Sequence, residues 1–314
     1  MENFAQAISL IESAKQILIT CHVRPDGDGV GSIVALKNII ERAARQNQRD
    51  CEVQLLLLST ASRVYQFLFA EPPRILEQDI TQQQIDAGEL DKFDLIIVVD
   101  TSATRQLKGI ADYLKKREQN AGDNSVLIID HHLSGDIKGS YRLINTKACA
   151  AAEIVYDLCQ EANWPLDEAS ATALLAAIGA DTGWFRFENT TARTFEISAA
   201  LIQAGAQADR LYQKLYQNYP PERLRLVTLA LETLELLAGG QLATMRITAK
   251  MLAQSGAKRA HIENIVNEPQ QIGSVIAVLL FVELDDGGTR VSLRSKAVVD
   301  VNELARQFGG GGHA

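Results

Sequence analysis

In "ILITCHVRPDGDGVGS" (17–32) an apolar run breaks into His22, Arg24, Asp26 and Asp28. Further along, "LIIVVD" ends on Asp100, "VLIID" on Asp130 with His131 and His132 after it, and "ALLAAIGAD" on Asp181. One aspartate behind an apolar run says little, because aspartate commonly starts a turn or caps a helix. Several, joined by histidines, say more: the chain has five histidines, and three of them stand in these segments. Carboxylates and imidazoles together are the ligands of divalent cations. Placing Asp26, Asp28, Asp100, Asp181, His22 and His131 in one crevice without cations would cost several kcal/mol in repulsion and desolvation. Six such groups, one carboxylate shared, suffice for two ions ~3.5–4 Å apart, an arrangement that activates water against phosphorus. Mixed nitrogen and oxygen ligation favours Mn2+ over Mg2+, with Zn2+, Co2+ and Fe2+ as alternatives.

These groups need a scaffold that brings them together. Apolar runs at 16–21, 51–59, 94–100 and 125–130 read as strands buried on both faces, and amphipathic segments at 31–46 and 105–119 alternate with them. That alternation predicts an α/β fold with a mainly parallel sheet flanked by helices, whose ligand crevice lies beyond the carboxyl ends of the strands. Residues 148–218 read as almost wholly helical, "ALLAAIGAD" included. "PPERLRLVTLALETLELLAGG" (220–240) has a proline start and a Gly-Gly stop and predicts a helix joining two domains. Strand-like "QLATMRIT", "IGSVIAVLLFVEL" and "TRVSLRSKAVV" follow, around a "DDGG" turn. The expected organisation is a first domain over 1–218, a linker helix over 219–240 and a smaller α/β domain over 241–314.

Composition narrows the function. The 314 residues are 46% hydrophobic and 22% charged, with a net charge of −8. That balance argues against a broad basic face for long nucleic acid. No apolar stretch reaches the ~20 residues of a membrane span. "MENFAQAISLIESAKQ" reads as an amphipathic helix without the basic start of a signal peptide, and the four cysteines form no CxxC pair. A cytoplasmic location is the expectation.

"HVRPDGDGVGS", "VVD", "DHH" and "AAIGADTG", in this order, resemble the four motifs of the DHH phosphoesterases. "VSLRSK" and the terminal "FGGGGHA" resemble the nucleotide-binding part of the accessory DHHA1 domain. Within the superfamily the chain is most similar to the bacterial bifunctional oligoribonucleases and pAp phosphatases. The resemblance implies that His22, Asp26 and Asp100 hold one metal ion. Asp28, Asp100, His131 and Asp181 would hold a second, with Asp100 bridging. It assigns His132 to the scissile phosphate, and Asp130 to orienting a neighbouring imidazole. Arg294, Lys296, Gly310, Gly311, Gly312 and His313 would grip the nucleotide. Apart from the resemblance, Arg24 inside the first motif and Arg186 in "GWFRF" are candidates to touch substrate phosphate. The family pattern runs on beyond Ala314, so the second domain is expected to be incomplete at its end.

The implied activity is metal-dependent hydrolysis of very short RNA oligonucleotides to mononucleotides and removal of the 3′-phosphate of pAp to give AMP. Expected partners are short single-stranded RNA or DNA oligonucleotides, pAp and a second copy of the chain, with no membrane and no long duplex. A phosphodiesterase for cyclic dinucleotides or their linear products is the enzymatic alternative. A non-catalytic nucleotide-binding regulator is the alternative from another class, and it predicts a lost ligand where none is lost. Trp184, Phe185 and Phe187 could stack on a base, but aromatics near a helix end more often read as core. "NTT" (189–191) reads as a coincidental glycosylation sequon, and His261 as structural.

Overall fold

Runs of Ile, Leu and Val without a polar break make the first sheet. Its strands are β1 (Gln16–Thr20), β2 (Glu52–Leu57), β3 (Arg74–Ile75), β4 (Leu95–Val99), β5 (Val126–Asp130) and β6 (Tyr141–Ile144). The computed structural model describes residues 4–120, 125–133, 135–137, 141–296, 299–308 and 310. The six strands pair in parallel in the order β3-β2-β1-β4-β5-β6. Every residue of β4 and β5 is buried, as a parallel sheet covered on both faces requires. The short β3 and β6 were not expected, because neither carries a sustained apolar run.

The helices of this part are α1 (Phe4–Ser13), α2 (Gly27–Gln46), α3 (Gln82–Asp86), α4 (Ala111–Asn120), α5 (Ala151–Glu161), α6 (Glu168–Asp181), α7 (Ala192–Gln203) and α8 (Ala208–Tyr216). Strand alternation divides the sheet residues between two faces. Leu18, Leu56, Ile96, Val98 and Ile128 pack with Ile85 of α3 and Leu114 of α4. Ile17, Ile19, Ile97 and Ile129 are buried on the other side, where α2 and α5 lie. The strand order reverses between β1 and β4. In a doubly wound sheet that point opens the crevice for a ligand.

Helix α2 runs against α6, and Gly31 sets how closely. A Cβ there would lie 2.4 Å from the backbone oxygen of Ala173 and 2.8 Å from the Ala177 Cβ. The obstacle is backbone, which cannot rotate away. Gly31→Val is expected to destabilise the protein by about 2–3 kcal/mol, read as a lower urea midpoint at unchanged m. An unshifted midpoint would show that the two helices have room to spare.

The chain forms two compact units, Met1–Leu215 and Tyr216–Ala314. The second unit contains α9 (Pro221–Leu231), β7 (Glu235–Leu237), β8 (Leu242–Ile247), α10 (Ala249–Ser255), β9 (Ala277–Glu283), β10 (Thr289–Ser295) and α11 (Val301–Gln307). Its sheet has the order β10-β9-β8-β7, parallel between β8 and β9 and antiparallel elsewhere. Met245, Ile247, Val278 and Leu280 of the sheet form a core with Leu226 and Ala230 of α9.

The expected linker helix over 219–240 is corrected here. The helix ends at Leu231, and its buried face belongs to the second unit's own core. Thr233 turns the chain: its hydroxyl donates to the Ala230 carbonyl and accepts from the Arg246 amide. Glu235–Leu237 then pairs with Leu242–Thr244. Gly239 and Gly240, read from sequence as a helix stop, take φ of 67° and 87° in the turn of this hairpin. Glycine supplies that conformation at either kind of boundary, so the residue pair alone does not distinguish them.

Candidate metal centre

The ends of β1, β4 and β5 and the end of α6 supply the chemistry. His22 follows β1, Asp100 follows β4, Asp130 closes β5 with His131 and His132 behind it, and Asp181 is the last residue of α6. Asp26 caps α2: its Oδ1 accepts from the Asp28 and Gly29 amides at 3.0 and 3.1 Å. The same oxygen lies 3.8 Å from Nε2 of His22, which is 3.3 Å from Oδ2 of Asp100. Nε2 of His131 lies 3.3 Å from Asp181 Oδ2, 3.5 Å from Asp100 Oδ1 and 3.7 Å from Asp28 Oδ2. Ligand atoms within 4.8 Å of one another form the clusters His22–Asp26–Asp100 and Asp28–His131–Asp181, and a third group, Asp100–His131–His132, overlaps them. Asp100 presents one oxygen to each histidine. All six residues picked out as ligands from sequence therefore converge in space.

The tautomers test whether a cation fits. Nδ1 of His22 sits 2.9 Å from the Val23 carbonyl, and Nδ1 of His131 3.3 Å from the Ala148 carbonyl. A neutral imidazole so placed carries its proton on Nδ1 and turns the Nε2 lone pair toward the carboxylates. Nε2 of His131 is buried and makes no hydrogen bond. A lone pair facing three carboxylates is relieved only by a proton or a metal ion. The donor set therefore fits divalent cations.

The electrostatics agree. Burial, then the charges of Asp28 and Asp100, push Asp181 up to about 9, and burial, then the charge of Asp100, pushes Asp28 up to about 7. Burial alone would lower the two histidines. The facing Asp100 and Asp26 outweigh it and raise His22 to about 11, and Asp100, Asp28 and Asp181 raise His131 to about 10. Asp100, opposed by its burial, is still held well below the usual carboxylate range by His131 and His22. Its φ is 62°, a left-handed conformation that costs a non-glycine residue about 1–2 kcal/mol. Its amide is fixed by a 2.8 Å bond to the Ile129 carbonyl on β5.

His132 has a different environment. Its Nδ1 lies 2.7 Å from Oδ1 of the fully buried Asp130, and this bond raises its pKa. The same oxygen accepts from the amides of His131 and His132. When protonated, an imidazole held in this way is a hydrogen-bond donor to an anion near the clusters.

Some contributors were invisible in the sequence. Asp28 accepts from the Ser32 hydroxyl at 2.9 Å and from the amides of Ala151 and Ala152 at 2.6 and 3.1 Å. The N-terminus of α5 thus holds it, and an alanine that acts through its backbone leaves no signal. Asn189, set aside as part of a sequon, donates from one amide group to the carbonyls of Cys149 and Asp181 at 2.9 and 3.1 Å. It ties the α6 end to the segment before α5. Arg24 is exposed with φ of 54°, its amide held at 2.6 Å by the Ser59 hydroxyl. Phe187 is exposed rather than core, whereas Trp184 packs edge-on against Tyr212.

In the second unit, Arg294 is exposed on β10, while the Lys296 ammonium donates to the Ile272 carbonyl at 2.8 Å. Gly310 was expected to offer its N–H to an anion. That N–H instead donates to the Ala305 carbonyl at 2.8 Å and closes α11. Gly311, Gly312 and His313 lie outside the described residues. No helix among the described residues is long and apolar enough to cross a membrane.

The signature of the DHH family, N-terminal domain, matches residues 16–178, and that of the DHHA1 domain matches 239–314. A protein of Streptococcus mutans named "Probable bifunctional oligoribonuclease and PAP phosphatase NrnA" is 29% identical over 100% of this chain and 92% of its own length. The Bacillus subtilis "Bifunctional oligoribonuclease and PAP phosphatase NrnA" is 28% identical over 98% of this chain and 89% of its own. Both names describe hydrolases of phosphoester bonds. A crystal structure of an exopolyphosphatase-related protein from Bacteroides fragilis has the same fold, with a TM-score of 0.88 at 23% identity over 99% of this chain and 88% of that one.

Proposed function

Since this chain belongs to the DHH family, we propose that it is a two-metal phosphoesterase that cleaves very short RNA oligonucleotides to mononucleotides and removes the 3′-phosphate of pAp. The observation that carries this reading is Asp100 standing between the two clusters with one oxygen toward each histidine. His22, Asp26 and Asp100 would hold one ion, and Asp28, Asp100, His131 and Asp181 the other, with Mn2+ favoured by the mixed donors. Two divalent ions held by these residues would lower the pKa of water and neutralise charge on the phosphoryl group.

The rest is the work of the chain. The two Nδ1 bonds to backbone carbonyls fix the imidazoles with Nε2 inward. The α2 and α5 N-termini orient Asp26 and Asp28 before any ligand arrives. His132, whose pKa the bond to Asp130 raises, would in its protonated form donate to a phosphoryl oxygen as negative charge develops there. In the second unit, exposed Arg294 and the glycine-rich end are assigned to the nucleotide, with Arg24 as a further phosphate contact. A small anionic substrate suits a chain of net charge −8, a balance that argues against a broad basic face for long strands.

With Mn2+ present, turnover of pAp, a 5′-phosphorylated dinucleotide, a ~24-mer, a cyclic dinucleotide and pyrophosphate is measured side by side. The dinucleotide and pAp are expected to react fastest. Fast turnover of pyrophosphate alone, of the cyclic dinucleotide alone, or of the 24-mer at least as fast as the dimer would overturn the assignment.

A further inference from the structure

Between Asp181 and Asn189 the chain leaves the metal centre and returns to it, both ends pinned by the Asn189 amide. Within this loop Gly183, Trp184 and Phe185 all take left-handed backbone, with φ of 54°, 56° and 62°. Three such residues in a row persist only where the surroundings enforce them. Trp184 packs against Tyr212 and beneath Gly179, and Phe185 stacks on Phe195 with ring centroids 5.1 Å apart. The turn places the amides of Arg186 and Phe187 on one acceptor, the Thr182 carbonyl, at 2.9 and 3.0 Å. It also seats the Phe187 ring directly on Gly183. A Cβ at 183 would come within 2.5 Å of Phe187 Cζ, so glycine is required there.

A phenyl ring backed by the main chain is thus held with 54% of its surface exposed, and Phe195 beside the same turn is 55% exposed. Nε of Arg186 donates to the Gly183 carbonyl at 2.6 Å, which ties the guanidinium to the same turn. No acid among the described residues pairs with Arg186. A rigid aromatic face stacks on any base, and an unpaired arginine takes a phosphate.

We infer that the loop 183–187 is a nucleotide shelf: Phe187 stacks on a base of the oligonucleotide and Arg186 binds an adjoining phosphate. This rests on the phosphoesterase reading and adds to it a reason for preferring base-bearing substrates. A nucleotide is the occupant that uses the ring and the cation together, beside the centre that would cleave it. A second copy of the chain would use the apolar rings and leave Arg186 idle.

The test compares wild type, Phe187→Ala, Phe187→Trp and Arg186→Ala on a 5′-phosphorylated dinucleotide and on the same dimer with abasic sugars. Phe187→Ala is expected to raise KM for the dinucleotide about tenfold, with kcat little changed and the abasic dimer unaffected. Phe187→Trp is expected to restore binding, and Arg186→Ala to weaken both dimers. Equal losses on both dimers for Phe187→Ala, or none on either, would overturn the shelf. So would a shift from dimer to monomer in sedimentation without base-dependent loss. Calorimetric binding of a phosphorothioate dinucleotide separates the two readings. If wild type cleaves neither dimer, the phosphoesterase reading fails alone, and unchanged binding by Phe187→Ala then removes the shelf as well.

Discussion

Asp100→Asn loses at least about a thousandfold in turnover, equivalent to ~4 kcal/mol of transition-state stabilisation. Among the described residues only Asp100 faces His22 and His131 together; asparagine keeps one of its two oxygens, replaces the other with NH2 and removes the shared negative charge. Asparagine is the informative replacement. It is nearly the same shape, and it tolerates the left-handed φ of 62° better than most residues. Alanine would add a backbone cost to the loss of charge, so comparing Asp100→Asn with Asp100→Ala separates the two. Bound manganese, counted by elemental analysis after equilibrium dialysis, is expected to fall in parallel with turnover. An Asp100→Asn protein that keeps more than a tenth of wild-type turnover would remove the bridging role.

Chelation is expected to abolish turnover, and its effect on stability depends on pH in a defined sense. In the metal-free protein Asp28 and Asp181 are raised from 3.8 to about 7 and about 9, and His22 and His131 from 6.5 to about 11 and about 10. All four groups hold a proton more tightly in the folded chain than in the unfolded one. Where the folded state binds more protons, stability falls as pH rises. The carboxyl contribution is lost from just above 3.8 through about 7 to 9. The imidazole contribution is complete below 6.5 and is lost on the way to about 10 to 11. Asp100 is shifted the other way, and its stabilisation is lost only on acidification below 3.8.

Metal ions must displace these same protons, so they bind more tightly as pH increases. Between pH 6.5 and 8.5, Tm in EDTA is expected to fall by about 3–8 °C. Tm with Mn2+ changes less, so the gap between the two curves widens. A gap that narrows with pH would mean that the protons lost are not those of the ligands.

The chemistry of the centre was legible in the sequence because it depends on residue types that have little other reason to cluster. His22, Asp26, Asp28, Asp100, His131 and Asp181 each stand at an element boundary that hydrophobic periodicity locates. The strands β1, β2, β4 and β5 were equally plain, since a doubly buried strand is an unbroken apolar run. The hairpin at Glu235–Leu237 was not, because its Gly-Gly turn and its short strand read as the end of the helix before it.

What the sequence by itself determined is the inventory: which acids and imidazoles are present and that each stands at the boundary of a buried element. Which of them meet was decided by the tertiary structure. The order β3-β2-β1-β4-β5-β6 sets β1 beside β4, and so places Asp100 between His22 and His131. Pairing of parallel strands is made through backbone hydrogen bonds and packing of similar apolar faces, and neither leaves a residue-specific mark. The same reason hides Ala151, Ala152 and the Asn189 tie, whose partners are amides and carbonyls common to every residue. It also hides the exposed face of Phe187, because an aromatic side chain reads as core until the backbone beneath it is seen.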